Sequence, residues 1–236
     1  MPVRAQLKYR KECFGIETFP RGTAPARHLH AHSYASVILA GSFVEAGFGG
    51  RVNVEPGDVL LHGRFDCHAN SSTCSHSVSI LCLPWRDDWM EGHFRVADPD
   101  LVVRLAEKDK QEAMSALAES IKPARPASRH WTGLLASDLR TTACLSLRRW
   151  AGAFGMRPEE LSRGFHREFG VSPKQYRLQA RTRRAWREVL LSSRTLTTIA
   201  HDQGFSDLSH LSRSMRLLTG QPPSAWRSMA RNSVQA

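Results

Sequence analysis

The feature that most constrains this chain is a sequence pattern that occurs twice in its second half. Residues 170–177 are echoed by residues 220–227 at an offset of 50, and residues 151–155 match residues 200–204 at an offset of 49. A repeat of this kind is one supersecondary unit used twice. Each copy reads as a short helix, a glycine turn and a second helix, which is the helix-turn-helix pattern. The sequence therefore predicts two such units in succession.

Positive charge is concentrated in the same half of the chain. The 236 residues carry a formal net charge of +11. Residues 137–236 hold 17 Lys and Arg against 7 Asp and Glu, whereas the first 136 residues hold 16 against 15. A basic domain attached to a nearly neutral one indicates a polyanionic partner. Beside paired helix-turn-helix patterns, that partner is expected to be double-stranded DNA rather than a membrane surface.

Cysteine usage and hydropathy indicate where such a protein works. The chain has five cysteines, an odd number without the spacing of a disulfide framework, which favours a reducing compartment. The N-terminus lacks the apolar stretch of a signal peptide, and the longest apolar run is far short of a membrane span. We therefore expect a soluble, cytoplasmic protein with no membrane partner.

The first 96 residues have the pattern of a β domain. Short apolar segments at residues 36–40, 51–54, 59–61 and 77–83 are separated by Gly, Pro, Asn and Asp. Residues 55–58 read Glu-Pro-Gly-Asp, a turn in which Pro presets φ and Gly supplies a positive φ. Many short strands at this spacing predict a small β-barrel or jelly roll.

Two motifs in this β domain resemble those of cupins. The first is the His-Ala-His of residues 30–32, followed by Gly41, and the second is the segment 51–61 with His68 beyond it. The resemblance implies a cupin-like domain that binds a small effector or mediates dimerisation. It covers residues 1–96, so the expected fold class is α+β, with a cupin-like β-barrel followed by an all-α domain with two helix-turn-helix units.

In metal-dependent cupins, the resemblance makes His30, His32 and His68 ligands, joined by a glutamate shortly after the first motif. Residues 34–37 contain no carboxylate at that place, which argues against a dioxygenase-type iron site. We therefore predict no metal and no cofactor, and those three histidines are the candidates should a metal bind. Two alternatives remain, histidines that are merely exposed or hydrogen-bonded, and a zinc site with soft ligands. The latter would use Cys67, His68, Cys74 and His76.

Residues 97–130 are predicted to connect the two domains. A helical pattern begins near Pro99, and its apolar stripe comprises Leu101, Leu105, Met114, Leu117 and Ile121. This helix either packs on the β domain or mediates dimerisation. Residues 122–128, which include two prolines, then break the helix and form the expected linker. The DNA-binding domain follows over residues 131–236.

Each repeat supplies the start and stop signals of short helices. Ser146 is a capping residue in front of the first helix, and Gly155 provides the turn after it. In the second copy, Thr195 or Thr197 caps the equivalent helix and Gly204 provides the turn. A basic helix over residues 179–191 joins the two units and fixes their separation. The two recognition helices are therefore expected to enter successive major grooves, about 34 Å apart on one face of the DNA.

The last 100 residues resemble the DNA-binding domain of AraC family transcriptional regulators. The resemblance rests on Ile-Ala, Gly-Phe-Ser-Asp, Leu-Ser-Arg, Gly, Pro-Pro and Trp-Arg between residues 199 and 227. It implies seven helices forming two helix-turn-helix units. The predicted DNA-binding residues are Glu159, Ser162, Arg163, His166, Leu208, Ser209, Ser212, Arg213 and Arg216. Arg163 and Arg213 suit bidentate contact with guanine, and a phosphate contact or a surface salt bridge is the alternative for each.

These observations predict an effector-responsive, sequence-specific transcription regulator that is not an enzyme. Both recognition helices would read promoter DNA, and the AraC resemblance implies activation through contact with RNA polymerase. An unknown small-molecule effector and a second copy of the chain, forming a homodimer, are the other expected partners. The alternative is a metal-dependent cupin enzyme domain fused to a DNA-binding module.

Overall fold

The computed structural model of the chain contains two compact units. The described residues are 8–10, 14–72, 76–86, 90–124, 130–142 and 145–234. Cys13, Cys74 and Cys144 lie outside them. The alternative zinc site with Cys67, His68, Cys74 and His76 therefore has one member, Cys74, outside the described residues. The chain divides by its internal contacts into a unit containing Lys8–Leu134 and a unit containing Leu135–Arg167 with the residues from Val171 onward.

The N-terminal unit contains eleven described strands and two helices. The strands are β1 (Lys8–Tyr9), β2 (Gly15–Phe19), β3 (His28–Leu29), β4 (Tyr34–Ala40), β5 (Phe43–Gly47), β6 (Gly50–Val54), β7 (Asp58–His62), β8 (Cys67–Ser72), β9 (Val78–Pro84), β10 (Gly92–Arg95) and β11 (Lys122–Pro123). They form one sheet in the order β1-β3-β8-β5-β6 and another in the order β11-β10-β7-β4-β9-β2. The described strands thus pair as two separate sheets, and a closed barrel stays a prediction.

The turn predicted at residues 55–58 is present and connects β6 to β7. Gly57 has φ +88°, and the Asp58 amide donates to the Glu55 carbonyl over 3.0 Å, which closes the turn. The Asp58 carboxylate accepts from the Glu55 amide at 2.9 Å and from Arg95 Nη1 at 2.8 Å. Because this buried carboxylate accepts from several donors, its burial is tolerated. The hydrogen bonds between Glu55 and Asp58 close the turn directly before β7.

The connector helices pack on the six-stranded sheet. The helices are α1 (Pro99–Lys108) and α2 (Lys110–Ser120), so the single predicted pattern is interrupted at Asp109, whose side chain caps α2. Val102, Met114 and Leu117 are buried in one cluster with apolar residues of the sheet. Leu101 was predicted to belong to the apolar stripe, but it is exposed on α1. Packing on the β domain is the interpretation that this arrangement favours.

The first residues of the predicted linker form a strand, although the two prolines predicted an irregular segment. Lys122 and Pro123 form β11, which pairs with β10 in the registers Arg95↔Lys122 and Phe94↔Pro123. Proline is tolerated here because β11 is an edge strand, where a missing N–H need not break a ladder. Residues 125–129 lie outside the described residues.

The C-terminal unit is helical. Its helices are α3 (Trp131–Thr141), whose first residues belong to the other unit, α4 (Leu147–Ala153), α5 (Pro158–Phe169), α6 (Pro173–Leu191), α7 (Leu196–Asp202), α8 (Leu208–Thr219) and α9 (Pro223–Val234). Leu135 and Leu139 of α3 are buried, whereas Leu134 is exposed. The Trp150 indole of α4 donates to Asp138 of α3 over 2.8 Å, which ties these two helices together.

Helix α6 is the element on which both halves of the C-terminal unit pack. It has 19 residues and is therefore about 28 Å long. Near its start, Tyr176 contacts Phe165 of α5 edge-to-face, with ring centroids 5.4 Å apart. Near its end, Trp186 contacts Trp226 of α9 edge-to-face at 5.8 Å. Such pairs contribute about 0.5–1.5 kcal/mol beyond buried area, so α6 holds the two repeats in a fixed relation.

The predicted α+β fold class is confirmed, with a sheet-rich region followed by a helical domain. The structure places nine helices among the described residues. None of them combines the length and the apolar character that a membrane-crossing helix requires.

Candidate nucleic-acid interface

The two repeats form two helix-turn-helix units with the same backbone hydrogen bonds. In the first unit the Gly155 amide donates to the Gly152 carbonyl at 3.1 Å, and in the second the Gly204 amide donates to the His201 carbonyl at 2.9 Å. Both glycines lie in the left-handed region, with φ +63° and +74°, where a side chain would be strained. The offset of 49 residues in the sequence is thus a repeat of the same turn.

Helix α5 is the second helix of the first unit and has one buried side. Leu161, Phe165 and Phe169 are completely buried, which fixes the rotation of the helix about its axis. The four residues predicted to contact DNA from this helix all lie away from the core, with Ser162 partly exposed and the others exposed. They are Glu159, Ser162, Arg163 and His166.

Helix α8 repeats this arrangement in the second unit. Leu211, Met215 and Leu218 are buried. The predicted residues lie on the remaining surface, with Leu208 and Ser212 partly exposed and the others exposed. They are Leu208, Ser209, Ser212, Arg213 and Arg216. The structure brings each predicted set together on one accessible helix surface, and their contact with DNA stays a prediction.

Three arginines of the basic second half bond to groups inside the C-terminal unit. Arg181 Nη1 donates to the Gly204 carbonyl at 2.7 Å, and its guanidinium lies 4.5 Å from the Phe205 ring centroid. Arg184 donates to Gln203 and to the carbonyl of Arg140, and Arg227 donates to the Val189 carbonyl at 2.8 Å. These side chains hold the turn of the second unit and the end of α6. Arg216, by contrast, is exposed on α8.

Helices α5 and α8 differ in the electrostatics of their first turns. At the start of α5, Glu160 accepts from the Arg157 amide at 3.1 Å and from Arg157 Nη2 at 2.7 Å, and these bonds lower the pKa of Glu160. At the start of α8, Asp207 accepts from the His210 amide at 2.7 Å and from the Ser206 hydroxyl at 3.0 Å, and these bonds lower the pKa of Asp207. Each carboxylate is ionised at the positive end of its helix dipole.

A second site, a buried cluster of imidazoles, lies in the N-terminal unit. His28 is directly opposite His68 in the β3–β8 pairing, and their ring centroids are 4.3 Å apart. His30 stacks on His68 with centroids 5.6 Å apart. The sequence predicted His30, His32 and His68 as the candidate ligands. The structure corrects this set, because His32 is exposed and His28 lies in the cluster instead.

The remaining members of this histidine cluster are ones that the sequence did not single out. His62 and Glu45 form a group with His68 in which the potential ligand atoms all lie within 4.8 Å of one another. His62 Nε2 lies 3.6 Å from Glu45 Oε2, and its Nδ1 lies 3.2 Å from Asp66 Oδ2. One signal could have found Glu45, since it is an acidic residue inside a strand whose other members are apolar or Gly.

Burial and mutual charge determine how these groups ionise. Burial lowers the pKa of His28 to about 4 and holds the pKa of His68 well below its usual value. Burial raises the pKa of Glu45 to about 7. For His62 burial acts downward, but the carboxylates of Glu45 and Asp66 outweigh it and raise the pKa. The cluster therefore contains neutral imidazoles beside one that favours its charged form.

Similarity to known proteins agrees with the helical repeat. Residues 150–229 match the family described as a helix-turn-helix domain, and no curated protein matches the chain significantly. Among solved structures, the chain is similar to a transcriptional regulator with an AraC-type DNA-binding domain from Chromobacterium violaceum, at 26% identity over 41% of this chain and 88% of that one, with a TM-score of 0.38.

Two further solved structures are similar to different extents of the chain. The DNA-binding domain of AdpA, in complex with a target DNA, is 23% identical over 42% of this chain and 91% of that one, with a TM-score of 0.39. ToxT from Vibrio cholerae, with bound unsaturated fatty acid, is 12% identical over 91% of this chain and 94% of that one, with a TM-score of 0.38.

The classification follows from the family match and the repeated turn geometry. Residues 150–229 form a helix-turn-helix domain of the AraC type, which is a domain of DNA-binding transcription regulators. The resemblance seen in the sequence is thereby confirmed.

Proposed function

We propose that this chain is a one-component transcription regulator that binds promoter DNA through both α5 and α8. The observation that carries the proposal is that the two helices present their predicted contact residues on accessible surfaces while their apolar sides are buried. Their attachment to a single helix, α6, keeps the two surfaces in a fixed relation, which suits reading of successive major grooves. The excess of 17 basic over 7 acidic residues in residues 137–236 supplies the attraction for phosphates.

The N-terminal unit is proposed to carry the regulatory input. It binds a small effector, and it pairs with a second copy of the chain to form a homodimer. Effector binding changes DNA affinity only insofar as the effector binds two states of the protein differently. The expected output is activation through contact with RNA polymerase in the cytoplasm. We propose a regulator rather than an enzyme, because the family match assigns the C-terminal segment to DNA-binding domains.

A binding experiment on the protein's own upstream region tests the DNA claim. Wild-type protein is expected to shift this DNA at moderate salt, and Arg213→Ala to weaken binding about 10- to 100-fold, as loss of a bidentate base contact would do. Arg231→Ala is the matched control, since it removes the same charge from the exposed last turn of α9, outside the predicted contact set. Equal binding by wild type and Arg213→Ala would contradict the assignment of Arg213 as a base-reading residue.

A further inference from the structure

The buried cluster contains three side chains with the arrangement of a metal site. Glu45 comes from β5 and His68 from β8 of the five-stranded sheet, whereas His62 comes from β7 of the six-stranded sheet. All three residues are buried, and their potential ligand atoms lie within 4.8 Å of one another. Side chains from separate sheets that point at one place are held there by the fold rather than by local sequence.

We propose that Glu45, His62 and His68 bind one divalent first-row transition-metal ion, such as Zn²⁺, inside the N-terminal unit. The proposal concerns this unit alone and is independent of DNA binding. It departs from the prediction of no metal made from the sequence, and its ligand set shares only His68 with the histidines that the sequence singled out.

The observed spacing is close to that of two ligands on one ion. Zinc is about 2.0–2.1 Å from its nitrogen and oxygen ligands, so two of them in tetrahedral geometry are roughly 3.3 Å apart. His62 Nε2 and Glu45 Oε2 are 3.6 Å apart. The two side chains need to move by only a few tenths of an ångström to share an ion. A hydrogen bond between the same two atoms would be shorter than the observed distance.

Asp66 orients His62 for this role. Its Oδ2 lies 3.2 Å from His62 Nδ1, and its Oδ1 accepts from the Phe48 amide at 3.4 Å. The Nδ1–H bond to a carboxylate leaves the Nε2 lone pair directed at Glu45. A metal-binding histidine usually donates its other ring N–H to a carboxylate, which fixes the tautomer and the orientation of the ring.

His68 provides a second imidazole from the opposite sheet. Its Nε2 lies 3.2 Å from the Tyr34 hydroxyl, and its buried Nδ1 has no hydrogen-bond partner among the described residues. A buried polar nitrogen left in this way costs about 1–3 kcal/mol. Coordination or a hydrogen bond to a metal-bound water would offset that cost.

The size and the lining of the cavity favour an ion over an organic molecule. The cavity that these residues line has a volume of about 40 Å³, whereas sites for drug-sized ligands have roughly 300–1,000 Å³. Such a space accommodates an ion with one or two waters. Nitrogen ligands with one carboxylate favour Zn²⁺, Fe²⁺, Co²⁺ or Ni²⁺, while Mg²⁺ and Ca²⁺ prefer oxygen ligands.

Charge balance distinguishes this set from the neighbouring group of His28, His30 and His68. An ion held by three neutral imidazoles would leave a buried double charge without compensation, which is costly in a low-dielectric interior. At the proposed site, the carboxylates of Glu45 and Asp66 together neutralise a divalent ion. We therefore place the ion on the side of His68 that faces Glu45 and His62.

Metal titration of the full chain tests the proposal. Protein stripped with a chelator is titrated with Zn²⁺ by calorimetry, with Mg²⁺ as the control ion. Wild type is expected to bind one equivalent of Zn²⁺. Glu45→Gln, which preserves side-chain volume, is expected to weaken binding at least about 100-fold, and Asp66→Asn about 10- to 100-fold. His28→Gln is the matched control within the same cavity and is expected to retain wild-type affinity.

Two checks make the outcomes decisive. Circular dichroism establishes that each variant is folded, and Co²⁺ absorption reports the ligand type. A spectrum without a thiolate charge-transfer band supports the proposal, whereas such a band would assign the ion to cysteines and overturn it. The proposal also fails if wild type binds no stoichiometric Zn²⁺, or if His28→Gln loses binding while Glu45→Gln keeps it.

Discussion

The two helix-turn-helix units have the same turn and the same buried positions, yet their second helices, α5 and α8, differ in charge. Helix α5 contains three glutamates and two arginines, a formal charge of −1 with neutral histidine, whereas α8 contains two arginines and no acid, a charge of +2. The two units therefore share their backbone geometry but not the charge of their second helices. We infer that the second unit contributes more to attraction for DNA phosphates, and that the first relies more on groove contacts.

Substitution of the buried leucines that the two units share is expected to have the largest effect, a loss of stability. Leu161 and Leu211 occupy equivalent positions and are both completely buried. Leu161→Ala and Leu211→Ala are each expected to lower the free energy of unfolding by about 2–5 kcal/mol, because both create a cavity beside a closely packed helix. Urea denaturation followed by circular dichroism measures this loss.

An exposed leucine provides the control for these core variants. Leu217 lies on α8 only two residues before its end and is largely exposed, so Leu217→Ala should change stability little. If one of the two core substitutions had as small an effect as Leu217→Ala, the units would not be equivalent in packing, and the repeat would be one of sequence only.

The outward arginines sharpen the comparison at the level of DNA affinity. Arg213→Ala is expected to weaken binding about 10- to 100-fold. Arg163→Ala is expected to weaken it less, because Glu159 on the same exposed part of α5 offsets part of the attraction between Arg163 and DNA. Fluorescence anisotropy with the upstream DNA measures both. A larger loss for Arg163→Ala than for Arg213→Ala would reverse the proposed ranking of the units.

The helical repeat could be predicted from the sequence because its signals are local. Ser146, Thr195 and Gly204 are capping and turn residues whose effect extends over one helical turn, and the structure confirms each of them. The boundary of α6 was less accurate. The helix was predicted to start at residue 179, where the basic stretch begins, but α6 starts at Pro173. Ser172 caps the helix well before the predicted start.

The β domain and its buried cluster were harder to predict because they depend on pairing between distant strands. β4, β6, β7 and β9 were expected from apolar runs, whereas β5 and β8 were not, since Glu45 and His68 interrupt their hydrophobic pattern. His28 was missed for a similar reason. The period of two places His28, His30 and His32 on one face, and the sequence does not show that β3 pairs with β8 and sets His28 opposite His68.

The internal arginines allow a structural role to be separated from phosphate binding. Arg181→Met removes the bond to the Gly204 carbonyl and the contact with the Phe205 ring, and is expected to cost about 1–2 kcal/mol of stability. Arg216→Met removes an exposed charge from α8 and is expected to reduce the slope of log K against log salt by about 1. DNA titrations at several salt concentrations, with urea denaturation alongside, measure both quantities.

These two substitutions remove the same charge and retain a long side chain, so each serves as the control for the other. Arg181→Met should leave the salt slope unchanged, because its guanidinium is already bonded within the unit. A reduced slope for Arg181→Met, together with unchanged stability, would mean that this residue contacts phosphate after all. The turn at Gly204 would then be held mainly by its own backbone hydrogen bonds.

The helix starts give the smallest expected effect and the most direct test of the difference between the units. Asp207 caps α8 through the His210 amide, whereas Glu160 of α5 reaches back to the amide and the guanidinium of Arg157. Asp207→Ala is expected to lower the Tm by a few degrees, because it leaves an N-terminal amide of α8 without its partner. Glu160→Ala should lower it less, since an exposed ion pair adds little.

Conversely, Glu160→Ala removes a negative charge beside the predicted DNA-contacting surface of α5 and should strengthen DNA binding slightly at low salt. Equal Tm losses, with no gain in DNA affinity, would show that the acidic start of α5 only caps the helix. It would then not weaken DNA binding by the first unit.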